Sequence, residues 1–89
     1  TVIAHPDGRA RVNVSGTPWL ATAGAGDVLA GFAGALVAAG LSAFDAGSLA
    51  ALLHGKAAER ANPGGPITAS MVAAELGSTV ADFLQGERA

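Results

Sequence analysis

The sequence predicts an α/β chain in which a β-hairpin is followed by about three helices. Three observations lead there. Two short β-prone runs flank a Pro-Asp-Gly turn at the start. A glycine-rich loop then runs into an apolar pattern of helical period. Two further helical stretches follow, each with a polar residue at its beginning.

The hairpin is expected over residues 1–14. "TVIA" and "RARVNV" are separated by "HPDGR", where Pro fixes φ, Asp bonds its local backbone and Gly accepts positive φ. From Arg9 to Val14, Ala10, Val12 and Val14 alternate with Arg11 and Asn13, the pattern of a half-exposed strand. Residues 15–26, "SGTPWLATAGAG", form a loop. The helical part, residues 27–89, starts at Asp27. Leu29, Phe32 and Leu36 share one face, and Gly31, Gly34 and Ala38 make a smooth side. A glycine inside a helix costs about 1 kcal/mol relative to alanine, so two of them predict close packing against a neighbouring backbone. Gly40 supplies the stop. Ser42 caps the second helix, with Asp45 as a capping-box-like partner. Leu49, Leu52 and Leu53 point inward, Lys56, Glu59 and Arg60 form a solvated end, and "NPGGP" ends the helix. Thr68 or Ser70 starts a third helix through Leu76. Val80, Phe83 and Leu84 place a last turn or two beyond it.

Composition narrows the function. The chain has 89 residues, 51% hydrophobic and 13% charged, with a net charge of −2. There is no basic run of the kind nucleic acids require, so no nucleic-acid partner is expected. With no cysteine, disulfides and thiolate metal sites are excluded, which fits a reducing cytoplasm. No basic segment precedes an apolar one at the N-terminus, as a signal peptide would need. Val28 to Phe44 is uncharged and close to membrane-spanning length. However, its bulk is Ala and Gly, Asp27 and Asp45 bracket it, and Gly40-Leu41-Ser42 breaks it, so a buried helix is expected and no membrane. A chain this small buries only roughly 60–65% of its unfolded surface. Such an apolar sequence, opening mid-strand at "TVIA", is expected to be the C-terminal part of a single larger domain. The excess apolar surface agrees with a homo-oligomer.

The chemistry centres on Gly24-Ala25-Gly26-Asp27. A glycine turn entering a helix exposes N–H groups with no intrahelical partner, and with the helix dipole these favour an anion. No Lys or Arg lies between Val12 and Gly55. A phosphate held here therefore relies on backbone donors, a metal ion or residues outside this stretch. Asp27 would be repelled by that phosphate. It makes sense as a general base that deprotonates a hydroxyl attacking the terminal phosphoryl group, or more simply as the helix cap. Two familiar nucleotide motifs do not fit. "GAGDVLAG" lacks the lysine of a phosphate loop, and the third glycine of a dinucleotide fingerprint would fall on Leu29.

"GTPWLATAGAGDVLAGFAGALVAAGL", with "PITASMVA" further on, resembles the C-terminal part of the ribokinase-like NAD(P)H-hydrate dehydratases. Gly16 to Gly31 follows that family's Gly-Asn/Thr-Pro-x-(Met/Leu)-Ala-Thr-x-Gly-x-Gly-Asp-(Val/Leu)-Leu-x-Gly segment almost throughout, with Trp19 where many members have Gly. "TVIAHPDGRARVNVSG" is similar to the hairpin that follows the family's Lys-Gly-x-x-Thr nucleotide loop, of which Thr1 would be the last residue. The Gly-x-Gly-Asp part alone would indicate only the ribokinase-like superfamily.

The resemblance implies a three-layer α/β/α fold. It also implies ADP- or ATP-dependent dehydration of hydrated NADH or NADPH, with Mg²⁺ accompanying the nucleotide. On that reading Asp27 activates the ring hydroxyl and contacts the hydrated cofactor. The amides around Gly24, Ala25 and Gly26 stabilise the transferring phosphoryl group, and Gly26 and Thr1 contact the nucleotide.

Other residues have simpler readings beside functional ones. The Thr22 hydroxyl either reaches a phosphate or bonds its own backbone. Trp19 either walls the nucleotide pocket or anchors local packing. His54, mid-helix among leucines, reads as a partly buried structural histidine, and His5 as solvated. Two further functions stay open at this point: a small-molecule kinase of the same superfamily, and a non-catalytic helical piece that only packs against a partner.

Overall fold

The computed structural model of the chain describes residues 1–88. Strands β1 (Val2–Ala4) and β2 (Ala10–Val12) pair antiparallel, with Ile3 opposite Arg11. Gly8, at φ +97°, closes the turn. The Asp7 carboxylate accepts from the Arg9 N–H at 2.9 Å and from Arg9 Nε at 2.8 Å. A single 3-10 turn, Pro18–Leu20, interrupts the loop, and Thr17 caps it through its side chain. Helices α1 (Ala25–Ala38), α2 (Ala43–Ala61) and α3 (Ala69–Arg88) follow. The expected order of two strands and three helices is thus present.

Four details differ from the sequence reading. First, α1 begins at Ala25, two residues before Asp27, because Gly24 takes the N-cap position at φ +86°. Second, α3 is one continuous helix from Ala69 to Arg88; Gly77 falls inside it without breaking it. Third, nothing among the described residues approaches Gly31 or Gly34, so the smooth side of α1 is open and the expected close packing is absent there. Fourth, the hairpin docks by its polar face. Arg11 pairs with Asp45 at 2.9 Å and lies 4.2 Å from the Phe44 ring centre. Asn13 Nδ2 donates to Ala51 O at 3.1 Å. Val2, Val12 and Val14 are left exposed on the other face, Val14 at 92%. Asp45, expected as the capping-box-like partner of Ser42, also turns to Arg11, and hydrogen bonds with Arg11 first and Ser42 second lower its pKa.

Helix boundaries follow local chemistry. The Ser42 hydroxyl accepts from the Asp45 N–H at 3.2 Å, as an N-cap should. Thr68 does the same for Met71 N–H at 3.3 Å. Gly40 adopts φ +108°, while Gly40 N–H bonds Val37 O and Leu41 N–H bonds Leu36 O. That is the paired C-terminal closure a left-handed residue permits.

Helix α2 is the centre of the described structure, packing on α1, α3 and β1. Its buried side is Ala46, Ala50, Leu53, Ala57 and Ala58, which with Ile67 and Val72 form the core. Small side chains let the neighbours come close, so α2 acts as a spine to which the loop and both flanking helices attach. No helix of the described residues is long and apolar enough to cross a membrane.

Candidate functional site

The loop from Ser15 to Gly24 is anchored at both ends on one stretch of α2. At its start, Ser15 Oγ donates to Leu52 O at 3.0 Å and the Gly16 N–H donates to Glu59 Oε1 at 3.1 Å. Ser15 lies directly over Gly55, where a Cβ would come within 2.5 Å of its Oγ. At the loop's end, His54 Nε2 lies 3.1 Å from Ala25 O, and Gly24 approaches Ala69 closely. Residues 51–59 of α2 thereby set the path of the loop and the position of the first turn of α1.

Within that turn the donors divide. The Ala25 N–H bonds Thr22 O at 3.3 Å and Ala25 is buried. The first helical bond runs from Val28 N–H to Gly24 O at 3.1 Å. Among the described residues, the Gly26 and Asp27 N–H groups have no hydrogen-bond partner, and both residues are exposed. These two are the outward donors, whereas the Ala25 amide is occupied inside the turn. Gly24 carries no side-chain cap, so the dipole end is uncovered.

Asp27 stands in the first turn of α1, three positions past the cap. A cap must precede the helix to reach its orphan amides, so the capping role suggested by sequence belongs to Gly24's backbone instead. Among the described residues the Asp27 carboxylate makes no hydrogen bond or ion pair, nor does the Thr22 hydroxyl make a hydrogen bond. Asp27 and two unpaired amides therefore share one exposed helix start. A carboxylate left without partners there can accept a proton, and the amides beside it can bind oxyanions.

Thr1 belongs to a neighbouring part of the structure. Its carbonyl accepts from Asn13 N–H at 2.8 Å, and the Asn13 side chain bonds Ala51 O. Ala51 lies one helical turn before His54 on α2, so the open end of the hairpin and the glycine turn converge on the same part of α2.

None of the clefts of about 580, 410 and 330 Å³ is lined by Gly24, Gly26 or Asp27. The first lies between the hairpin, α2 and the end of α3, bounded by Arg11, Leu49, Leu52 and Phe83. The glycine turn is a single exposed wall. Trp19 is 48% exposed, more than a packing anchor would be. Among the described residues no three His, Asp or Glu side chains converge as metal ligands. This stretch therefore does not fit a protein cage for Mg²⁺, and no step is assigned to the ion.

The sequence reading passed over two residues. Glu59, read as solvated, holds the Gly16 amide. His54, read as structural, reaches the turn itself. The signal was the pair His54-Gly55: a polar residue and a helix-weakening glycine together in an Ala/Leu run mark a close approach by another segment.

Comparison with known proteins adds the family. The profile described as NAD(P)H-hydrate dehydratase matches residues 1–81. An ADP-dependent (S)-NAD(P)H-hydrate dehydratase of Neisseria meningitidis serogroup B is 45% identical over 76 residues, covering 85% of this chain and 26% of the relative. A bifunctional NAD(P)H-hydrate repair enzyme Nnr of Mycobacterium leprae is 45% identical over 86 residues, 91% of this chain and 18% of the relative. The same-named enzyme of Thermofilum pendens is 51% identical over 59 residues, 66% of this chain and 11% of the relative. The chain thus spans about a quarter or less of these relatives. No solved structure is a significant match.

Proposed function

The chain belongs to the NAD(P)H-hydrate dehydratase family, and on that premise we propose that the whole protein uses ADP or ATP to dehydrate hydrated NADH or NADPH. The name of the Neisseria relative favours ADP as the donor. The single observation that carries the reading is Asp27: an exposed carboxylate with no partner among the described residues, beside the unpaired Gly26 and Asp27 amides. It sits within a segment, Gly16 to Gly31, that follows the family pattern almost residue by residue.

The chemistry is a two-step removal of water. Asp27 takes the proton of the ring hydroxyl while that oxygen attacks the terminal phosphorus, and the bond from that phosphorus to the rest of the nucleotide breaks. The Gly26 and Asp27 N–H groups donate to the phosphoryl oxygens as charge builds on them. Phosphate is then a good leaving group. The ring nitrogen's electron pair expels it, and loss of a proton from the adjacent carbon restores the double bond. Thr22 and Gly24 border the phosphates, and Thr1 meets the nucleotide from the hairpin side. The second wall of the pocket comes from parts of the domain outside these residues. A cytoplasmic location fits the absence of cysteine.

The test uses the full-length protein and follows recovery of the reduced nicotinamide absorbance from the hydrate. Replacing Asp27 by Ala is expected to lower turnover by about 10²–10⁴, the usual worth of a general base, while nucleotide binding persists. Undiminished turnover would refute the assignment. A stable phosphorylated alcohol as the product would make the protein a kinase instead.

A further inference from the structure

In the proposed function the Gly26 amide meets phosphate, and beyond the helix's own bond to the Ala25 carbonyl nothing in its turn fixes that amide. Gly24 provides no side-chain cap, and glycine at the second helical position adds no side chain that could brace the peptide. A second brace comes from another helix. His54, 29 residues away, is 6% exposed and lies with Nε2 3.1 Å from Ala25 O. A carbonyl only accepts, so Nε2 carries the proton and donates it.

The Ala25 carbonyl and the Gly26 N–H are the two ends of one planar peptide unit. A donor on the oxygen restrains rotation of that plane. It also draws electron density toward the oxygen, which makes the N–H at the other end a stronger donor, as in any chain of linked hydrogen bonds. We infer that His54 is a positioning residue for the phosphate turn, its imidazole N–H orienting and polarising the Ala25–Gly26 peptide so that the Gly26 N–H meets the transferring phosphoryl group. This rests on the proposed function, because it takes Gly26 as a phosphate contact. Burial lowers the His54 pKa and keeps the ring neutral near pH 7. The donor is therefore a fixed dipole, and it adds no charge behind the turn.

Three variants of the full-length protein test it. His54→Phe keeps the ring volume and removes the donor. His54→Gln keeps an N–H near the Nε2 position. Asp27→Ala reports on the functional reading itself. Losing an oxyanion donor outright costs about 10²–10³ in kcat; a donor that remains but is no longer braced forfeits part of that. His54→Phe is expected to lower kcat about tenfold well below its unfolding temperature, with KM for the hydrate changed by less than about threefold. His54→Gln should recover most of the rate. In ¹⁵N-labelled protein, the Gly26 amide proton should move upfield in His54→Phe and return in His54→Gln. Lowered stability with kcat and the Gly26 resonance unchanged would make His54 a packing residue only and overturn the inference. If His54→Phe does not fold, His54→Asn replaces it, since its shorter amide stops short of Ala25 O; the same loss is expected, and wild-type kcat would refute. An inactive Asp27→Ala alongside a fully active His54→Phe would sink this inference alone, whereas an active Asp27→Ala would sink the functional reading.

Discussion

Gly55→Ala is the sharpest test of the claim that α2 holds the loop. A Cβ at Gly55 would lie 2.5 Å from Ser15 Oγ, 2.7 Å from Ser15 C and 2.8 Å from Ser15 O. Two of those atoms are backbone, so no rotamer change relieves the clash and the loop must lift away. Lifting it breaks Ser15 Oγ to Leu52 O and Gly16 N–H to Glu59 Oε1. Overpacking costs about 1–3 kcal/mol, and each hydrogen bond contributes about 1 kcal/mol. Alanine's better helix propensity returns about 1 kcal/mol. The expected net loss is about 2–4 kcal/mol. Urea unfolding of the full-length protein measures it, with Gly77→Ala as the matched control: that glycine is also inside a helix, but its Cβ would meet nothing within 4 Å. The control should gain about 1 kcal/mol. A Gly55→Ala protein as stable as the control would refute the argument that this glycine exists for the approach of Ser15.

Three other outcomes are expected. Gly24→Ala forces a residue with a Cβ into φ +86° and within 3.2 Å of Ala69 Cβ; the left-handed backbone alone costs roughly 1–2 kcal/mol, and nucleotide affinity measured by calorimetry should fall with it. Ser42→Ala removes the acceptor of the Asp45 N–H and should cost about 1 kcal/mol in urea unfolding, leaving nucleotide affinity unchanged. Stability should also decline with acid because of His54. Its folded pKa is lowered, chiefly by burial, so the unfolded chain binds the proton more tightly. Its contribution is complete above the free-imidazole value of about 6.5 and is lost as pH falls through the lower folded value. That part of the pH profile should vanish in His54→Gln.

Much of the fold was legible because its signals are local. Pro6-Asp7-Gly8, Gly40 and Ser42 each act on the two or three residues beside them, and the structure uses them as turn, stop and cap. The start of α1 lies two residues before the one the sequence suggests, because no side-chain cap marks Gly24 and the lone charge of the segment draws attention to Asp27. The hairpin's orientation was illegible for a different reason. Alternation identifies two faces but not which one meets a helix. Here the Arg11 guanidinium stacks on Phe44 and pairs with Asp45, so the polar face became the inner one. The candidate site divides in the same way. Asp27 and the glycines stood out as a contiguous motif, while His54 and Glu59 act across 29 and 43 residues and leave no contiguous pattern.

That division has a physical origin. An oxyanion seat made only of amides needs its donors unsatisfied by the protein, so the turn cannot be stiffened by a capping side chain that would consume them. Within the stretch from Asn13 to Gly55 no Lys or Arg is available to share the task. Stiffness beyond the helix's own bonds has to arrive from behind, through the carbonyl side of the same peptides, and His54 on another element is placed to supply it. His54 meets that requirement because α2 is lined with alanine at Ala50, Ala57 and Ala58, all nearly inaccessible. Val28 of α1 packs against the cluster that holds Ala57 and Ala58, and these small side chains let that helix come close enough for the imidazole to reach Ala25 O. Lengthening one of these alanines, for example Ala50→Leu, would push neighbouring elements off the spine. Turnover should then drop even though no residue of the turn has changed.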